Sequence, residues 1–492
     1  MPAKPAPEAA GLALLRLGAE ITLKSRRTRA QFLRRLRSNL ADALAASGSG
    51  ARIDSTWGRM FVRGGVEVLP ALTHVFGLSS ISPVARVVPA DLDEIVHAGT
   101  ALFTERVRGR RFAVRARRAG SHPFTSKDIE IRLGAALLPA SAGVRLDDPE
   151  FTAFVEVRDA EAYLFHERFD GAGGLPLGVE GRAVCLLSGG FDSAVAAWLI
   201  MKRGVALDYV FCNLGGDAYE RAVLQVAKVL ADQWSWGTRP RLFVVDFQGP
   251  LQALRETVRP QYWQVVLKRL MYRAASRVGH SLRAAAIVTG ESIGQVSSQT
   301  LHNLRAIEPV ATLPVFRPLL GFDKEEIIAK ARDVGTAALS EQVREYCAIA
   351  PGHPVTASSP ERAAAEEAAM DLTILDDAIE KRKALDLRAL SATDLVAPYL
   401  FTSVIPEGAI VFDCRPLAQF RAWHYPGAEQ RDEWELLRSI DRLDRDRAYV
   451  LYCAHGIQTA YLAEKMQRAG IEAHSYRGGV AALIRSSGIS TS

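Results

Sequence analysis

Cysteine is scarce in this 492-residue chain, and its five copies (185, 212, 347, 414 and 453) form no CxxC pair and no zinc-type spacing with the ten histidines. An odd count in so long a chain argues against a structural disulfide framework and leaves thiol chemistry open. Long apolar runs are missing too. Nothing approaches the ~18 consecutive apolar residues that span a bilayer, and the longest candidates, such as 194–201, read as buried helix. The apolar stretch 9–15 is broken by Arg16 and makes a poor signal peptide. These absences set the expectation of a cytoplasmic protein with no membrane partner. There is also no GxxxxGK[ST] string, which excludes a Walker A loop, and no internal repeat.

What is present is an ordinary globular composition, 48% hydrophobic and 24% charged, in a length that suggests about three domains. The net charge of +6 is unevenly spread: residues 1–130 hold 21 Lys+Arg against 11 Asp+Glu. Basic clusters fall at 24–37 and 106–118, so a polyanion is expected to dock at the front of the chain, unless these are merely solvated faces.

Hydrophobic periodicity divides the chain. Residues 12–23 and 60–69 are β-like, with a hairpin turn expected at Gly64-Gly65, and 29–46 is helical. A helix at 90–107, a strand at 111–118 alternating apolar with basic residues, a helix at 126–138 and strands at 144–146, 151–157 and 161–166 follow. The glycine-rich stretch 171–178 marks a boundary. Beyond it strands (183–187, 208–214, 241–246, 284–289) alternate with helices (193–203, 218–234, 258–277), the pattern of a doubly wound parallel sheet. The charged segment 360–390 reads as a solvated helical connector. A fresh unit then begins after Pro398, with strands 409–413, 448–452 and 473–476 and a helix at 457–469.

Chemistry concentrates in two places. The string Ser188-Gly189-Gly190-Phe191-Asp192-Ser193 lies between an apolar strand and a helix. Its glycines let the backbone approach an anion, and the turn and the helix N-terminus aim N–H groups at a phosphate. The hydroxyl-rich stretch 289–300 falls at a strand end, where a nucleotide contact or a polar capping loop is expected. Lys324 suits neutralisation of a triphosphate, though alone it reads equally as a surface lysine at a helix start. The second place is Cys453, which follows the strand 449–452 and precedes a helix. A thiol there has its thiolate stabilised and suits a persulfide. Cys347 alone is as compatible with a core position as with chemistry, whereas Cys185 and Cys212 fall on core strands and Cys414 is a bystander to an Asp413–Arg415 pair. A nucleotide-activating centre beside a sulfur-carrying one points to replacement of a carbonyl oxygen by sulfur.

The 188–193 string resembles the PP-loop of ATP pyrophosphatases, which adenylate a carbonyl oxygen and release pyrophosphate. Together with Leu267-Lys268-Arg269-Leu270-Met271, Arg317-Pro318-Leu319, Asp323-Lys324-Glu325 and Glu345-Tyr346-Cys347, it makes nearly the whole chain resemble the tRNA 4-uridine sulfurtransferase (4-thiouridine synthase) family. The C-terminal pattern Asp413-Cys414-Arg415, Trp423-His424-Tyr425-Pro426-Gly427-Ala428, the Cys453 loop and Tyr476-Arg477-Gly478-Gly479 resembles a rhodanese domain. The resemblance implies a ferredoxin-like unit (1–75), a THUMP RNA-binding unit (76–172), a PP-loop ATP pyrophosphatase with a doubly wound sheet (178–372), a helical linker (373–395) and a rhodanese-like α/β domain (396–492).

For the site, it implies ATP contacts from Leu186, Leu187, Ser188, Gly189, Gly190, Ser193, Lys268, Gly290 and Gln299, with Asp192 and Lys324 activating the nucleotide and Mg2+ shielding it, and no metal held by protein ligands alone. Cys453 would carry persulfide sulfur from a cysteine desulfurase, and Cys347 would pair with it. Arg115, Arg117, Arg118 and Lys127 are the expected RNA contacts. The product would be 4-thiouridine at position eight of tRNA, with a further role in sulfur delivery to a carrier for thiamine thiazole synthesis. One departure is notable: thiosulfate-using rhodaneses often carry an arginine in the cysteine loop, where this chain has Gln458, and His455 is the nearest candidate cation. A protein persulfide is therefore the expected donor. Two rivals stay open, another PP-loop tRNA-thiolating chemistry and a sulfur relay serving thiamine synthesis alone.

Overall fold

The computed structural model describes residues 11–47, 50–56, 59–64, 68–341, 343, 353–391, 395, 398–454 and 456–486. In the central unit, Ala183, Cys185 and Leu187 pack into one apolar core while Val184 packs into another. Side chains that alternate between two cores require helices on both faces of the sheet. The sheet runs Val315–Phe316, Ile287–Val288, Arg182–Leu186, Ala206–Asn213 and Arg241–Asp246, all parallel, and closes with an antiparallel edge, Lys383–Asp386.

That edge strand corrects the reading of 360–390 and 373–395 as a solvated connector. Leu375 and Ile379 of the helix Thr373–Glu380 pack into the central core, and Leu387 is fully buried. Glu367, on the helix Pro360–Glu367, is buried because Arg269 and Arg273 both bond its carboxylate. Charge masked a buried segment. The helix expected from 258 begins at Trp263, because Pro260 holds Arg259 extended, and a further helix, Gln248–Thr257, precedes it.

The N-terminal sheet is antiparallel, in the order Phe169–Asp170, Leu78–Val84, Leu12–Leu17, Arg59–Arg63 and Arg52–Thr56. The helix Arg26–Ala46 covers it through Leu36, Leu40, Ala43 and Leu44. Three expectations change here. The first strand ends at Leu17, where its ladder with Leu78–Val84 slips, and a helical turn Ala19–Thr22 follows. The strand expected over 60–69 stops at Arg63, and Leu69–Thr73 is helical. Arg59–Arg63 pairs backwards with Arg52–Thr56 in the register Thr56↔Arg59, ahead of the expected turn at Gly64-Gly65, of which residue 65 lies outside the described residues. A boundary at 75/76 would also cut this sheet, because Leu78–Val84 pairs with Leu12–Leu17.

The second sheet runs Arg86–Pro89, Glu161–Phe165, Phe151–Arg158, Arg111–Ala119 and Gly143–Val144. Helices Leu92–Val107 and Ser126–Leu137 cover one face. Its joint with the first sheet is partly apolar, Leu12, Leu14, Phe61 and Val84 packing against Tyr163 and Phe165, and partly electrostatic. Glu156, 1% exposed, meets Arg16 (3.1 Å) and Arg59 (2.7 Å) from the first sheet and Arg158 (2.8 Å) from its own strand. Burial alone would raise this carboxyl's pKa, but the charges of Arg59 and Arg16, with the Arg158 hydrogen bond, hold it below the ordinary 4.5. The stabilisation is complete above the unfolded value and is lost as pH falls through the lower folded one. Replacing Glu156 with Gln strands buried guanidinium charge and is expected to cost about 3–5 kcal/mol, read as a fall in the urea midpoint at pH 7 that shrinks below pH 4.5.

The C-terminal sheet, Phe401–Thr402, Ala473–Tyr476, Tyr449–Tyr452, Ile410–Asp413 and Glu429–Gln430, is parallel throughout. Leu451 and Val450 face opposite cores, and Arg415 grips Asp413 with both groups buried. No described helix is long and apolar enough to cross a membrane.

Candidate functional site

The strand Arg182–Leu186 delivers the chain to a turn that only glycine makes easily, Gly189 having φ +79°. Gly190 then starts the helix Phe191–Lys202 without a side-chain cap, so the first turn's N–H groups are left to another acceptor. The turn is braced internally: the Ser188 N–H donates to Ser193 Oγ (3.2 Å), Ser193 Oγ donates to the Gly190 carbonyl (3.2 Å), and the Tyr219 hydroxyl donates to the Ser188 carbonyl (3.2 Å). Beside it opens a cavity of about 350 Å³. Leu186, Leu187, Ser188, Gly190, Asp192, Ser193, Lys268, Gly290, Gln299 and Lys324 all line it. Gly189 sits behind the wall, where an added Cβ would meet Val223 and Val343.

Asp192 and Lys324 form an ion pair in this cavity, which Lys268, Glu291 and Glu341 also line. Lys324 Nζ lies 2.9 Å from Asp192 Oδ1, and Gln295 Nε2 donates to Asp192 Oδ2 at 3.0 Å. Both partners of the ion pair keep solvent contact, with side-chain exposures of 42% for Lys324 and 22% for Asp192. Glu291, also in the cavity lining but buried, is committed to protein partners, accepting from the Tyr272 hydroxyl (2.5 Å), Thr289 Oγ1 (3.0 Å) and Arg317 Nε (2.9 Å). Burial, and then the Glu291 charge, push the Tyr272 phenol well up, so it stays a donor. Gln299 turns its Oε1 to the Ser292 N–H and shapes its own loop.

Gly290 touches the phosphate loop so closely that an added Cβ would lie 2.6 Å from the backbone of Asp192 and Ser193. Backbone cannot step aside cheaply. Gly290→Ala is expected to weaken nucleotide binding roughly ten- to a hundredfold, measured by calorimetry with ATP, while the fold persists.

The second centre lies on the C-terminal sheet. Cys453 follows the strand Tyr449–Tyr452 and is 3% exposed. Its Sγ accepts the Gly456 N–H at 3.2 Å and lies 3.4 Å from Thr459 Oγ1, which in turn meets Ser475 Oγ at 2.8 Å. Gly456, at φ +91°, starts the helix Ile457–Arg468. Gly479 lets the neighbouring turn close on the cysteine loop, since a Cβ there would meet the Cys453 carbonyl oxygen at 2.7 Å. Cys185 and Cys212 are buried on core strands, the first with its thiol pushed well up by burial, and Cys212 borders the cavity beside the 188–193 loop. Cys347 and His455 lie outside the described residues.

One helix spans the two centres. Lys324–Val334 begins with the lysine that pairs Asp192 and ends at Gly335, whose carbonyl accepts Gln458 Nε2 from the cysteine loop at 2.7 Å. Its 11 residues make a strut of about 16 Å. The chain continues through Ala337–Ser340 and Glu341, and Ser340, Glu341 and Val343 line the cavity beside the 188–193 loop.

Of the expected RNA contacts, Arg115 and Arg117 are exposed and share one face of their strand, along a cleft with Arg16, Arg168, Phe154 and Phe165. Arg118 falls on the other face, bonded to the Gly120 carbonyl, and Lys127 is exposed beside Glu130. Gln295, Tyr219 and Gln458 were not singled out from the sequence for these contacts. Gln295 lay in a flagged stretch, whereas nothing local distinguishes Tyr219 from other core aromatics of its helix.

Four family models match the chain: the ThiI ferredoxin-like domain over 12–82, the THUMP domain over 89–167, the thiamine biosynthesis protein (ThiI) over 178–372 and the rhodanese-like domain over 402–485. A tRNA sulfurtransferase of Pyrobaculum aerophilum is 38% identical, with 94% of this chain and 96% of the relative covered. One of Desulfurococcus amylolyticus is also 38% identical, over 95% and 97%. Among solved structures, a 4-thiouridine synthetase–RNA complex with bound ATP matches at 32% identity and a TM-score of 0.67, over 76% of this chain and 98% of that one.

Proposed function

The chain belongs to the tRNA sulfurtransferase family, and from that premise we propose that it converts a tRNA uridine, at position eight, to 4-thiouridine through an adenylated intermediate and a Cys453 persulfide. The reading rests most on the strut Lys324–Val334, which ties the Asp192 pair to the loop that carries Cys453.

ATP and tRNA are the substrates. The uncapped start of the helix Phe191–Lys202 and the hydroxyls of Ser188 and Ser193 receive the phosphates, and Lys324 balances their charge. Asp192 is a cavity carboxylate with an open face (Glu341 is another), which fits Mg2+, an ion that takes one or two carboxylates and leaves its other positions to phosphate and water. Among the described residues no three of His, Cys, Asp or Glu converge to hold a metal alone. When bound, magnesium screens phosphate charge. Uridine O4 attacks the α-phosphorus, pyrophosphate leaves, and C4 now carries an AMP leaving group.

Cys453, loaded by a cysteine desulfurase, presents the terminal sulfur of its persulfide from a loop in which the Gly456 N–H donates to Sγ. That sulfur attacks C4 and AMP departs, leaving a Cys453–S–S–C4 bridge. The thiolate of Cys347 attacks Cys453 Sγ, which releases 4-thiouridine and forms a Cys347–Cys453 disulfide. A dithiol reductant then supplies two electrons to reopen it. tRNA docks on the front of the chain, with Arg115 and Arg117 as phosphate contacts. Free cysteines suit a reducing cytoplasm.

The match to a thiamine biosynthesis model supports a second output, sulfur transfer from Cys453 to a carrier protein. Purified protein with tRNA, ATP, a cysteine desulfurase and L-cysteine should yield 4-thiouridine, by nucleoside mass spectrometry, and one pyrophosphate per product. Product formed without nucleotide would refute the scheme.

A further inference from the structure

We propose that Gln458 is a positioning residue that latches the sulfur-carrying loop onto the nucleotide domain, and that delivery of sulfur to tRNA depends on this latch while loading of Cys453 does not. The inference rests on Cys453 being the sulfur carrier.

The position is informative because Gln458 is the second residue of the helix Ile457–Arg468, into which the cysteine loop runs directly. The Gln458 side-chain amide reaches the nucleotide domain. Its Nε2 donates to the Gly335 carbonyl at 2.7 Å, and its Oε1 accepts from Gln233 Nε2 at 3.2 Å. The two partners ask for opposite things. A carbonyl only accepts, so it requires a donor, and the other half of the side chain must then accept from Gln233. A side-chain amide does both with two separate atoms. A carboxylate would face the Gly335 carbonyl with repulsion, and a guanidinium would leave Gln233 without an acceptor. The contact is also close, since a Cβ at Gly335 would lie 3.0 Å from Gln458 Nε2. One turn on, Tyr461 is 8% exposed and packs into the core of the nucleotide domain, so the same helix face carries a polar pin and an apolar anchor.

Gly335 caps the helix that starts at Lys324, and the chain beyond it walls the nucleotide cavity. Holding Gln458 therefore holds the cysteine loop against the element that carries the Asp192 partner. With Cys453 only 3% exposed in this docked arrangement, small shifts of the loop decide where its terminal sulfur points.

The test compares two sulfur sources in single-turnover thiolation of tRNA with ATP: cysteine desulfurase plus L-cysteine, and inorganic sulfide, a free nucleophile that bypasses the loop. Gln458→Ala should lower the persulfide-supported rate roughly tenfold, the scale of one or two neutral hydrogen bonds. It should leave the sulfide-supported rate and the cyanide-labile sulfur on Cys453 unchanged. Gln458→Glu should fall further, and Gln233→Ala less. Combining Gln233→Ala with Gln458→Ala should add little to the latter, as expected for one shared contact. The latch is refuted if Gln458→Ala keeps the wild-type persulfide-supported rate while Cys453→Ser is inactive, or if both sulfur sources suffer equally. A fully active Cys453→Ser would instead remove the reading of Cys453, and the latch with it.

Discussion

Replacing Cys453 with serine should reduce persulfide-supported 4-thiouridine formation by on the order of 10³-fold or more, as loss of a covalent carrier does. A hydroxyl cannot hold a sulfane sulfur, so no terminal nucleophile reaches C4. The packing should survive. The thiol is buried, and its polar neighbours are the Gly456 N–H and Thr459 Oγ1, both of which a serine oxygen can satisfy. Binding of ATP and tRNA, measured by calorimetry and filter retention, should match the wild type. Labile sulfur on the protein, read by cyanolysis after incubation with a desulfurase, should lose the share belonging to this residue. Inorganic sulfide should restore product, because the nucleotide centre is untouched. Wild-type turnover of this variant with a desulfurase as sole donor would place the sulfur path elsewhere.

Both centres were legible from the sequence for the same reason: each is a strand, a glycine turn and a helix start, written in consecutive residues. The 188–193 loop and the Cys453 loop need no distant partner to be recognised, and the structure gives them the backbone those residues demand, with Gly189 and Gly456 at positive φ. What joins them was not legible. Gln458 stood out as a departure from a thiosulfate-type loop, yet its partners Gln233 and Gly335 are 225 and 123 residues away. The segment 360–390 was misread for a related reason. Composition counts charges without knowing their neighbours, and Glu367 with Arg269 and Arg273 forms a buried cluster that looks like solvent-loving sequence. The expected boundary at 75/76 cuts the first sheet because Leu78–Val84 returns to pair with a strand more than sixty residues earlier. Long-range pairing leaves no local periodicity beyond that of any strand.

Asp192→Asn should be the complementary lesion. It keeps shape and removes one charge from the centre of the cavity, where Lys324 and Gln295 converge on the carboxylate. Lys324 would then sit beside a neutral amide, and the phosphates would lose the acidic group that fits magnesium. Both effects weaken stabilisation of charge as pyrophosphate departs, for which removing one preorganised group typically costs about 10²–10³-fold in rate. The loss should fall on the chemical step, so pyrophosphate release and 4-thiouridine should decline together in single-turnover assays. Sulfide should not rescue this variant, because a free nucleophile still needs a leaving group on C4. Persulfide loading of Cys453 should be normal, the cysteine loop being held by Gln233 and Gly335 rather than by Asp192. Sulfur transfer from Cys453 to a thiamine-pathway carrier should therefore continue. Two variants with opposite responses to sulfide, Cys453→Ser rescued and Asp192→Asn not, separate the activation of oxygen from the supply of sulfur. If sulfide restored Asp192→Asn as well, the acid would have no part in activating the uridine, and the roles assigned to the Asp192–Lys324 pair would have to pass to other groups lining the cavity.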